Sequence, residues 1–134
     1  MFKKTILSVS FLFSILSVLP IYAHEGHDNT PGGIKANHGG VVKAGKEINL
    51  EFVVSGIEVK LYPANHDGKD LLSNEVKIRA TAKLPKGKAE SIKLSEKDGA
   101  FVASLDFKSS YRIEMNVEAD VNGKKSSFKF QVEK

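Results

Sequence analysis

The chain of 134 residues has no cysteine, no tryptophan and only four prolines. Without cysteine it has no disulfide framework, no thiolate metal centre, no cysteine nucleophile and no lipid attachment through a thiol. No Cys…Trp…Cys spacing supports a true immunoglobulin domain. The usual catalytic signatures are also missing: no HExxH pair, no GxSxG elbow, no phosphate loop and no dinucleotide fingerprint. Acidic residues are scattered among polar positions and are not paired, so a non-enzymatic role is expected. Basic residues form no dense patch interleaved with aromatics, which leaves nucleic acid with little support as a partner. Soft metal ligands are scarce. Of the two methionines, Met1 opens the chain and Met115 falls on a predicted inward face, so Cu(I) transport through thioethers is disfavoured.

A basic start, Met1-Phe2-Lys3-Lys4, precedes a charge-free stretch from Thr5 to Ala23, and the chain turns polar at His24. This is the layout of a secretory signal peptide. The stretch is long enough for a membrane anchor by length alone. Its serines, Pro20 and the small Ala23 instead favour cleavage between Ala23 and His24, with no stable membrane insertion afterwards. Removal of residues 1–23 takes Lys3 and Lys4 with it and lowers the formal charge from +4 to +2. A bacterial periplasm is the expected location, with secretion to the exterior as the alternative.

Residues 24–39 belong to a segment with three of the four histidines and no apolar period, and they read as a flexible His/Gly-containing arm. From Gly40 to the end, at 134, the period is two. Ile48, Leu50, Phe52 and Val54 alternate with Glu47, Asn49, Glu51 and Val53. Ile113, Met115, Val117 and Ala119 alternate with Glu114, Asn116 and Glu118, and Phe128, Phe130 and Val132 with Lys129 and Gln131. Each pattern describes a strand with one apolar and one wet face. Asp98-Gly99 and Asn122-Gly123 are hairpin turns by type. With no helical period to cover the apolar faces, a second sheet must do so. The prediction is an all-β, immunoglobulin-like antiparallel sandwich of seven or eight strands over residues 40–134, ahead of a small barrel.

The histidines are the candidate chemistry. Cleavage after Ala23 makes His24 the terminus, where its free amine and imidazole can chelate one divalent ion such as Cu(II), with Zn(II) or Ni(II) less favoured. His27 is the next nitrogen donor, with Glu25 and Asp28 beside it. His38 stands at the entrance to the first strand, and His66 and Asp67 lie in the Asn65-His66-Asp67-Gly68 turn. If the two turns meet, His38, His66 and Asp67 form a second nitrogen/oxygen site. The plainer reading leaves His66 and Asp67 as turn builders and the terminal histidines as a soluble linker.

Four segments carry a resemblance: His38-Gly39-Gly40-Val41-Val42, the strand Glu47 to Val54, Ile57 to Tyr62, and His66-Asp67-Gly68-Lys69. They resemble a small exported β-domain that also occurs near the start of some heavy-metal efflux adaptor proteins. The similarity spans roughly 38–132 and is specific only over 38–69. It implies a periplasmic sandwich linked to metal resistance, with His38, Gly39, Gly40, His66, Asp67 and Gly68 as the residues carried over. The hairpin and lipoyl-like regions of a full adaptor are missing, so an accessory binder of a divalent metal ion, working beside a heavy-metal efflux system component, is implied. The alternative is an envelope protein-interaction module with no metal role.

Overall fold

Strands that alternate apolar and polar residues leave one face of each sheet to be covered, and here two sheets cover each other. The structure, a computed structural model, describes residues 34–134. The predicted leader and the candidate ligands His24 and His27 lie outside the described residues. Nine strands follow in order: β1 (Val41–Ala44), β2 (Asn49–Ser55), β3 (Glu58–Ala64), β4 (Lys77–Lys83), β5 (Glu90–Ile92), β6 (Ser95–Lys97), β7 (Ala100–Ser104), β8 (Arg112–Val121) and β9 (Lys124–Glu133). One sheet has the order β1-β2-β3-β7-β6 and the other β5-β4-β8-β9, with every neighbouring pair antiparallel.

Strands β2-β3-β7-β6 facing β5-β4-β8-β9 reproduce the A-B-E-D and C′-C-F-G order of immunoglobulin-like sandwiches. Strand β1 is an extra edge. The strand beyond the expected seven or eight is β6, whose three residues are all exposed and carry no apolar alternation. Asp98-Gly99 and Asn122-Gly123 both have positive φ at each residue, as the tight hairpins they build require.

Leu50, Phe52, Val59 and Leu61 of one sheet meet Ile113, Met115, Val117 and Phe130 of the other in a single buried core. Phe52 and Phe130 stack across it with ring centroids 3.9 Å apart. Met115 is fully buried, as its inward phase predicted. Each such side chain contributes about 1.5–3 kcal/mol by leaving water. Among the described residues no helix is long and apolar enough to cross a membrane.

Candidate functional site

The outer face of β2 breaks the predicted pattern. Asn49 and Glu51 belong to the polar phase, yet they are 1% and 4% exposed. For Asn49 the neighbours are Ala44 and Ala64, with its Nδ2 3.5 Å from the Asn65 carbonyl oxygen, and for Glu51 the cause is the chain just ahead of β1, which crosses over this face. One oxygen of the Glu51 carboxylate accepts from the Asn37 amide at 2.9 Å, and the other from the Gly40 amide at 2.9 Å. The His38 amide is shared between both oxygens at 2.9 and 3.1 Å. A carboxylate removed from water needs such donors, because an unpaired buried charge is strongly unfavourable. The hold on the chain thus begins at Asn37, ahead of the predicted start of the sandwich at Gly40.

The two glycines after His38 have separate geometric reasons. Gly39 has φ +74°, a left-handed conformation that side chains disfavour. Gly40 lies so close to β2 that a Cβ would collide with the Phe52 carbonyl oxygen and the Val53 side chain. Together they turn the chain onto Glu51 and leave the His38 side chain over β3.

There the His38 ring stacks on Tyr62, with centroids 3.7 Å apart and planes 9° from parallel. Tyr62 is the cross-strand partner of Glu51, so backbone and ring of His38 rest on adjacent positions of one sheet face. The His38 Nε2 lies 2.6 Å from Asp70 Oδ2. Asp70 is placed by a bridge to Ala64 and by the Leu71 amide donating to the Pro63 carbonyl at 2.9 Å. The turn before it is closed by the Gly68 amide to the Asn65 carbonyl at 3.0 Å and the Lys69 amide to Asn65 Oδ1 at 2.9 Å.

The two turns do meet: Asn37 Nδ2 donates to the Gly68 carbonyl at 2.7 Å. The carboxylate that reaches His38 is Asp70, however, while Asp67 is exposed in the turn. His66 takes a different partner, its Nε2 lying 3.2 Å from the Gly45 carbonyl. Among the described residues no group of three or more His, Asp or Glu side chains is arranged to hold a metal ion.

In the tautomer whose Nε2 hydrogen points to Asp70, Nδ1 is the His38 nitrogen outside that contact. A carboxylate on the far nitrogen is a usual way an imidazole ligand is oriented. The donor chemistry of this corner therefore fits one anchored imidazole of a divalent site. Among the described residues no further His, Asp or Glu side chains complete a metal site around it. Beside the ring runs a groove of about 670 Å³ lined by Tyr62, Asp70, Leu72, Asp98 and Phe101.

Sequence reasoning did not assign Asn37, Glu51, Tyr62 or Asp70 to the site. Glu51 and Tyr62 lay inside the quoted motifs, but as strand positions. No spacing rule links Asn37 to Gly68 or His38 to Asp70, since these contacts span 31 and 32 residues.

No protein-family model matches the chain, and no curated protein matches it. Among solved structures it is similar to a DUF4426 family protein from Pseudomonas aeruginosa. The match has a TM-score of 0.51 at 14% identity and covers 69% of this chain and 94% of that one. At that identity the likeness concerns the fold alone, and it agrees with the sandwich described above.

Proposed function

We propose that the protein is a non-enzymatic, exported accessory module that captures or buffers a divalent transition metal, Cu(II) by preference over Zn(II) or Ni(II). The observation that carries this reading is the His38–Asp70 pair at 2.6 Å, with its ring stacked on Tyr62 and its backbone tied to the Glu51 carboxylate. A solvent-facing linker histidine has no need of three such restraints. In the proposal, the His24 amine and imidazole are the primary anchor, His27 the second ligand and His38 the preoriented ligand on the sandwich. His66 and Asp67 are optional donors at most. The resemblance to the exported domain of heavy-metal efflux adaptors supports the same direction and suggests a periplasmic efflux component as the recipient of the metal.

The test is competitive Cu(II) titration of the mature protein beginning at an authentic His24, against a control with one extra glycine before it. The proposal expects one-to-one binding, weakened at least about tenfold by the extra residue. Weak binding that ignores the added glycine would remove the terminal anchor from the account. A second reading, an interaction module, is favoured by the groove beside the exposed β6 edge and by Leu72, which is 65% exposed within it. It predicts a partner recovered by crosslinking and no change of melting temperature with metal.

A further inference from the structure

A second concavity lies away from the histidine corner, where the β4–β5 hairpin faces the segment that leaves β7. Its volume is about 490 Å³, within the ~300–1,000 Å³ range of small-molecule sites. Its apolar surface is offered by Leu84 and Ile92, with the core behind them. Leu105 and Ile113 are buried there, and Leu84 and Ile92 are half-buried against them. Its rim is cationic, with Lys88 from the hairpin, Lys93 just after β5 and Lys108 after β7.

Two acidic residues share the rim, Glu90 and Asp106. Asp106 is turned to its own loop, accepting the Lys108 amide at 3.0 Å. The lysine ion pairs formed among the described residues engage Lys60, Lys125 and Lys129, and none engages the three rim lysines. The cationic groups therefore stand over an apolar floor with no carboxylate partner. Strand β5 is a three-residue edge held by the pairs Ala80↔Ile92, Thr81↔Ser91 and Ala82↔Glu90.

A small anion would leave the floor uncovered, and a neutral chain would leave the lysines unused. We propose that this crevice binds a free single-chain anionic amphiphile of the fatty-acid type. The acyl chain lies on Leu84 and Ile92, which Leu105 and Ile113 back from the core, and the carboxylate sits among Lys88, Lys93 and Lys108. The lysine stems extend along the chain while their ammonium groups reach the headgroup. This site is independent of the metal reading, and either can stand without the other.

The experiment is an amide-resolved NMR titration of the mature protein with decanoate below its micelle concentration, alongside decanol and butyrate. Saturable shifts confined to 82–93, 104–108 and Ile113 are expected, with decanol and butyrate each at least about tenfold weaker. Combined Lys88→Gln, Lys93→Gln and Lys108→Gln should reduce decanoate affinity by a similar factor with the melting temperature retained. Leu84→Gln tests the floor separately and should weaken decanoate while leaving the rim intact. Equal affinity for decanol, dispersed shifts, or indifference to the lysine changes would overturn the site. Binding only to vesicles containing anionic lipid, with no response to free decanoate, would also overturn it and make the lysines a membrane-surface patch.

Discussion

Strands β2 and β9 carry the same kind of alternating sequence and end in different surroundings. Along β9 every second residue faces out: Lys125, Ser127, Lys129, Gln131 and Glu133 are exposed, while Ser126, Phe128, Phe130 and Val132 are buried. Along β2 four consecutive residues, Asn49 to Phe52, are buried. The inner faces are equivalent and share the Phe52–Phe130 stack. The difference is entirely on the outer faces. The outer face of β9 meets solvent, where Lys125–Glu118 and Lys129–Glu114 at 3.5 and 3.4 Å join exposed lysines to half-buried glutamates and are worth under ~1 kcal/mol each. The outer face of β2 meets residues 37–40. The same residue type, glutamate, is thus a surface charge on one sheet and a fastening point on the other.

The shared ground should be the most sensitive. Phe130→Ala removes the ring that joins the two sheets and is expected to lower stability by about 4 kcal/mol in denaturant unfolding. A loss near 1 kcal/mol would mean that the stack does not carry the core. The contrast itself is tested by one pair of substitutions. Glu51→Ala is expected to cost about 2 kcal/mol, because three amides lose a charged acceptor. Glu118→Ala on the other sheet should cost less than ~0.5 kcal/mol. Equal effects would erase the distinction between the two faces. Hydrogen exchange adds a local readout, since the Asn37, His38 and Gly40 amides should lose protection in Glu51→Ala and keep it in Glu118→Ala.

A smaller effect is expected at Gly40→Ala, about 1 kcal/mol, as residues 37–40 lift away from the Phe52 carbonyl. The same loss of protection at Asn37 and His38 should accompany it. The smallest is His38→Ala, under ~1 kcal/mol, since the Asp70 pair is solvent-exposed and only the stack on Tyr62 is lost. A stability loss as large as that of Glu51→Ala would make His38 a structural residue and weaken its reading as a ligand.

These contrasts also mark what the sequence could convey. Period two identifies inner faces reliably, because a strand buries i, i+2 and i+4 together whatever lies outside. Leu50, Phe52, Met115 and Phe130 were legible for that reason, and so was the need for a second sheet. Outer-face burial is different. It depends on a chain segment arriving from elsewhere, and nothing in the alternation of Glu51 with its neighbours reports the crossing of Asn37 to Gly40. Strand β6 escaped because Ser95, Glu96 and Lys97 are paired only through backbone and bury no side chain. The histidine corner was legible as two turns whose meeting would bring His38 and His66 to one end of the sandwich. Its partner carboxylate was not, since Asp67 and Asp70 are equally plausible by spacing and only the turn closed by Asn65 selects Asp70.

In the proposed function His38, held by Glu51, Tyr62 and Asp70, is the metal ligand on the sandwich, and His66 is at most an optional donor. The most direct test is the Cu(II) affinity of the mature protein carrying His38→Ala, compared with His66→Ala. The account predicts at least about a tenfold loss for His38→Ala and little change for His66→Ala. Unchanged affinity in His38→Ala, or equal losses in both variants, would contradict it.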